Sequence, residues 1–96
     1  MRMMMKITIP VKAGNAAIKD GSLPKIMGET LERLKPEAAY FLSENGVRTA
    51  IMVIDMKEPA DIPSLAEPFF LAFNAAVALF PVMNAEDLKK GLAKLS

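Results

Sequence analysis

Residues 38–56 read Ala38-Ala39-Tyr40-Phe41-Leu42-Ser43-Glu44-Asn45-Gly46-Val47-Arg48-Thr49-Ala50-Ile51-Met52-Val53-Ile54-Asp55-Met56, and the architecture of the chain follows from them. Asn-Gly between two β-prone runs is the strongest short-range hairpin signal, because both residues tolerate the positive φ of a tight turn. The pattern predicts strands over 38–43 and 47–56 joined through Glu44-Asn45-Gly46. The first carries Ala38, Tyr40 and Leu42 on one face and Ala39 and Phe41 on the other. The second sets Ile51 and Val53 against Ala50, Met52 and Ile54. Neither face is polar enough for water, so the sheet is expected to be covered twice, by helices on one side and by a second copy of the chain on the other.

Upstream, Met3, Met5, Ile7 and Ile9 alternate with Arg2, Lys6 and Thr8, the period-two signature of a strand, and Pro10 ends it. Residues 14–20 read as a short helical turn closed by Gly21. Ser22 reads as the N-cap of a second helix with Pro24 in its first turn. Leu23, Met27, Leu31 and Leu34 form its apolar stripe until Pro36 stops it. Downstream of the hairpin, residues 57–61 form a turn. Ile62, Leu65, Phe69, Phe73 and Ala76 then fall on one helical stripe, with Ser64 and Glu67 at capping-box spacing, Asp61 with Pro63 an equally good start, and Pro68 implying a kink or break. Residues 77–83 predict a fourth strand, placed at a sheet edge by Pro81. Asn84 caps a last helix in which Glu86 and Asp87 complement the helix dipole, Leu88, Leu92 and Leu95 form the stripe, and Lys89, Lys90 and Lys94 face water.

Composition narrows the function classes. A chain of 96 residues makes one domain, spanning 1–96, and a domain of that size buries only about two-thirds of its unfolded surface. With 52% hydrophobic and 24% charged residues it is a packed, self-associating chain and not a disordered one. The net charge of +1 comes without a basic stripe, so no nucleic-acid partner is expected. The absence of cysteine and histidine removes thiolate and imidazole chemistry, and no metal site or cofactor is expected. The start of the chain fails as a signal peptide, because Arg2 and Lys6 interrupt its apolar stretch and no cleavage pattern follows. The uncharged run 68–85 reaches the lower length limit of a membrane span, but Asn74, Pro68 and Pro81 and the switch from helical to strand period mark it as a buried helix followed by a strand. No membrane association and a cytoplasmic location are expected.

The order β-α-β-β-α-β with a C-terminal helix predicts an α+β domain of ferredoxin-like type, a four-stranded antiparallel sheet with its helices on one face. That plan hosts many functions, so residues must discriminate among them. An RNA-recognition reading needs a stacking aromatic on the third strand, where residues 47–53 offer none. A metallochaperone reading needs paired cysteines after the first strand, where Val11-Lys12-Ala13-Gly14-Asn15 stands. The Lys12-Ala13-Gly14 step faintly resembles the turn of amino-acid-binding regulatory domains, without their acidic residue and proline. Over nearly its whole length, through Pro81-Val82-Met83-Asn84 into Ala85-Glu86-Asp87-Leu88, the chain resembles the dimeric α+β barrel group and is similar to a set of small bacterial proteins with the same strand-to-helix ending. The resemblance implies a homodimer packed sheet to sheet. It also brings in cofactor-independent monooxygenases, haem-degrading enzymes and lactone isomerases, but with no histidine or tryptophan here none of their activities carries over to a position of this chain.

Tyr40, Glu67 and Asn74 are the ligand-binding candidates, expected between the second long helix and the sheet. A buried Glu67 would serve as a general base, with Tyr40 and Asn74 donating hydrogen bonds to an enolate-like intermediate. Against this stand plain structural readings: Glu67 as a capping or solvent-facing residue, Tyr40 as an amphipathic core ring, and Asn74 as an amide satisfied by backbone. Arg48 and Asp55 read as strand-end charges, and the methionines as pliable packing for a core, an interface or an apolar pocket. Three functions follow: a homodimer binding a small apolar or amphipathic molecule, a cofactor-independent isomerase or monooxygenase-like enzyme, and a structural or regulatory subunit.

Overall fold

In the computed structural model, which describes residues 1–95, four antiparallel strands form one sheet in the order β2-β3-β1-β4, where β1 is Arg2–Ile9, β2 Ala38–Glu44, β3 Val47–Asp55 and β4 Ala76–Pro81. The hairpin is where the Asn-Gly signal puts it: Asn45 and Gly46 adopt φ of 54° and 75°, and Glu44 pairs with Val47 across the turn. Between β1 and β2 run α1 (Val11–Lys19) and α2 (Ser22–Leu34), and between β3 and β4 runs α3 (Ile62–Phe73). Each crossover joins two parallel strands that hold a third between them, β3 in the first case and β1 in the second. The arrangement is an open α+β sheet compatible with a ferredoxin-like fold, with two helices in the first crossover and a further helix, α4 (Ala85–Ala93), after β4.

Register fixes the two faces. Met3, Met5, Ile7 and Ile9 of β1 stand beside Ile54, Met52, Ala50 and Arg48 of β3. Their apolar members, with Leu65, Phe69 and Phe73 of α3 and Ala17 of α1, make the buried core. Phe69 and Phe73, one turn apart on α3, are fully buried with ring centroids 6.3 Å apart and planes tilted by 41°, a favourable aromatic geometry. Leu23, Ile26, Met27, Leu31 and Leu34 of α2 reach the same core only partly buried. The opposite face presents Met4, Tyr40, Leu42, Ile51, Val53 and Phe80 with no described helix packed over them. Tyr40 is 69% and Phe80 42% exposed.

Several boundaries differ from expectation, each for a local reason. The first helix starts at Val11 and not at residue 14, because Pro10 already accepts the amide of Gly14 at 2.8 Å and so opens the first turn. Gly21, at φ 80°, is the residue before α2, while Ser22 is its first helical residue; the Ser22 amide is met by Asp20 Oδ1 at 2.8 Å. Pro68 neither breaks nor ends α3, which runs through it to Phe73. The spacing of Ser64 and Glu67 is not used as a cap, since Ser64 Oγ donates to Asp61 O at 2.9 Å and a 3-10 turn over Pro59–Asp61 leads into the helix. Ala76 belongs to β4 and not to the helix stripe, and β4 ends at Pro81, on the sheet edge where a residue lacking an N–H is tolerated. Asn84 caps α4 as expected: its Oδ1 accepts the Asp87 amide at 2.8 Å and Asp87 Oδ2 accepts the Asn84 amide at 3.2 Å.

Charge is concentrated at the end of the sheet where β1 begins. Arg2 Nε donates to Glu37 Oε1 at 2.7 Å and its Nη1 to Asp87 Oδ2 at 3.2 Å, tying the start of β2 and of α4 to β1. The hydrogen bond that Arg2 donates to Glu37 raises the Arg2 pKa. Asp55 is paired with Lys57 and with the Met1 amino group, and these, Lys57 first, hold its carboxyl at about 2.

Candidate functional site

The opposite end of the sheet holds the candidate site. There α1 follows β1 with no loop, and the Asp20-Gly21 corner turns the chain so that α2 runs over the β2–β3 hairpin without reaching its edge. Phe41, whose register beside Ala50 puts it on the helix side of the sheet, is therefore 55% exposed. The space left between helix and hairpin is a groove of about 520 Å³. Leu23, Met27 and Leu31, four residues apart on α2, form one wall, Ile9 and Ala50 the floor and Phe41 the far side. Gly28 lies at the rim, where a Cβ would meet nothing within 4 Å. A concave, largely preformed surface of this size lined by apolar side chains with few polar groups has the character of a small-molecule site.

Among the described residues, the one charged side chain lining it is Arg48. It belongs to the inward row of β3 with Ala50, Met52 and Ile54 and lies beside Ile9. Its guanidinium rests on α1, where Gly14 makes room: a Cβ at Gly14 would stand 2.6 Å from Arg48 Nη1 and 3.2 Å from Ile9 Cγ2. Arg48 Nη2 donates to Asn15 Oδ1 at 3.1 Å. Among the described residues Arg48 makes no ion pair, in contrast to Arg2 with its two carboxylates. The parity of β3 was the available signal: counting by twos from Ile54 places Arg48 on the inner face, which the reading of a strand-end charge left unassigned.

The residues singled out from sequence fall elsewhere. Tyr40 is on the bare face of the sheet, opposite Ile51 and so on the far side from all of α1, α2 and α3. Glu67 is exposed on α3. Asn74 is exposed at the C-terminal end of α3 with φ 51° and ψ 33°, and its amide donates to Phe70 O at 3.1 Å. Asparagine is among the few residues that take this left-handed conformation readily, so the fold gives Asn74 a local task. The three are not gathered in one place, and none lines the groove. A second hollow, between α2 and α3, is edged by Glu29, Arg33 and the exposed Leu71, and the buried Thr30 beside it already donates its hydroxyl to Ile26 O at 2.8 Å. Among the described residues no group of His, Cys, Asp or Glu could hold a metal ion, and no helix is long and apolar enough to cross a membrane. Comparison with protein-family models and with curated proteins finds no match for this chain.

Proposed function

We propose that the chain is a ferredoxin-like domain that pairs with a second copy through the bare face of its sheet, in the manner of the dimeric α+β barrel group, and holds a small apolar or amphipathic molecule between α1, α2 and the hairpin. The observation that carries the reading is the groove itself, whose apolar walls lie open although the helices that form them are otherwise packed. Assembly is supported by shape and by unpartnered surface. The Cα radius of gyration is 15.2 Å, whereas a compact domain of this length has about 12–13 Å. The excess accompanies α4, which has no buried residue and leaves Leu88 and Leu92 exposed. The central part of the bare face, with Met4, Ile51, Val53 and Tyr40, is apolar, and Lys6 is neutralised there by Glu44 at 2.6 Å. An exposed apolar patch on a small domain supports pairing through that face.

The neutral dye Nile red tests the groove. Saturable binding is expected, and the change Gly28→Trp, which points an indole into open space at the rim, is expected to abolish it while leaving the far-ultraviolet circular dichroism unchanged. Dye binding indifferent to that substitution would move the site away from the groove. An enzymatic reading has no comparable support, because Tyr40, Glu67 and Asn74 lie apart.

A further inference from the structure

We infer that the groove takes an amphipathic monocarboxylate, its carboxylate paired with the Arg48 guanidinium and its apolar body under α2; this deepens, and rests on, the reading of the groove as a ligand site. Arg48 is half-buried at the end of a space otherwise lined by apolar residues and Thr49, and among the described residues the only hydrogen-bond partner of its guanidinium is the neutral Oδ1 of Asn15. Partial burial of a cation costs hydration, and elsewhere in the chain the half-buried Arg2 recovers that cost from Glu37 and Asp87. No carboxylate of the described residues does the same for Arg48. The planar guanidinium presents paired N–H donors that match a carboxylate, and Asn15 Nδ2, with no partner among the described residues, stands beside it as a further donor.

The number of charges follows from the lining. Arg48 is the single cation among twelve residues that form the groove, so a second anionic group on the ligand would meet hydrocarbon. The body must be apolar for the same reason, since Ile9, Leu23, Met27, Leu31 and Phe41 offer it no hydrogen bond. Such a ligand satisfies both halves of the site at once: it covers the exposed walls and supplies the counter-charge. A neutral molecule of the same shape would do only the first and would leave the guanidinium further desolvated and still unpaired.

The experiment is displacement of Nile red by decanoate and by 1-decanol, which differ in head group and not in tail, on the full chain and on Arg48→Met. Decanoate is expected to compete about tenfold better than 1-decanol with the unaltered chain, the advantage of one charge-assisted contact. In Arg48→Met the two should compete equally, with 1-decanol no weaker than before. Equal competition in the unaltered chain, or a decanoate advantage that survives Arg48→Met, overturns the inference and leaves the groove as a neutral apolar site. Failure of dye and both competitors to bind overturns the groove reading as well. Dye binding that appears only on dilution to monomer would make the groove the seat of a second copy, and this too overturns the inference.

Discussion

Gly14 and Gly28 both stand inside helices, and replacing each with alanine separates the contact at Arg48 from helix propensity. Alanine is favoured over glycine in a helix interior by about 0.8–1 kcal/mol. At Gly28 nothing lies within 4 Å of the new methyl, so Gly28→Ala is expected to collect this gain nearly in full. At Gly14 the methyl would sit 2.6 Å from Arg48 Nη1, which is closer than any ordinary carbon contact. The obstacle is the far end of a flexible side chain, so the guanidinium moves aside and its hydrogen bond to Asn15 is lost. Such a bond is worth about 1–2 kcal/mol when one partner is charged and partly solvated, which cancels or slightly exceeds the propensity gain. Urea unfolding should therefore find Gly28→Ala more stable than the parent, Gly14→Ala equal to it or about 1 kcal/mol below, and the two separated by about 1–2 kcal/mol. In an Arg48→Ala background the separation should narrow to what the remaining 3.2 Å approach to Ile9 Cγ2 costs. Equal stabilisation by both glycine replacements in the unaltered background would mean that the guanidinium does not occupy the space over Gly14, and the account of Arg48 would fail with it.

Three further expectations concern the frame around the site. Asp55, held at about 2 by Lys57 and the Met1 amino group, has a folded-state pKa below its ordinary value, so the stability it contributes is complete above about pH 4 and lost as pH falls toward 2. Stability measured against pH should show the gap between the unaltered chain and Asp55→Asn closing through that window; a gap unchanged from pH 5 to pH 2 would contradict the pairing. At Asn74, Gly is expected to be tolerated and Ala to cost about 1 kcal/mol in urea unfolding, because φ is 51° there and a Cβ is penalised. Loss with Gly as large as with Ala would assign the amide side chain a role that the backbone does not explain. A charge at Val53 should yield folded monomer by sedimentation, whereas the same charge at Met52, which is fully buried against the helices, should unfold the protein. A Val53→Asp chain with unchanged sedimentation would remove sheet packing from the assembly.

The order of elements was legible because each signal was local. Asn45-Gly46 requires positive φ, Pro10 stops a strand, and Asn84 with Asp87 forms a reciprocal cap; none of these depends on distant residues. Helix boundaries were less legible where backbone partners outside the pattern settle them. Pro10 opens α1 by accepting an amide, and α3 passes through Pro68 because packing of Leu65 before it and of Phe69 and Phe73 after it holds the helix on both sides. The site was the least legible part. Polar residues amid apolar ones drew attention to Tyr40, Glu67 and Asn74, but the face a residue occupies depends on strand register and on how far a helix reaches. Arg48 sits inside because β3 keeps its parity past Ala50, and Phe41 lies open because α2 stops short of β2. Register could have been counted from the sequence; the reach of α2 depends on the turn at Asp20-Gly21 and could not.

Native mass spectrometry of the protein purified from its own host measures subunit number and retained small molecules together. The account predicts a dimer that carries one added mass per chain, released on denaturation as a monocarboxylic acid with an apolar body. A monomer without added mass would contradict it.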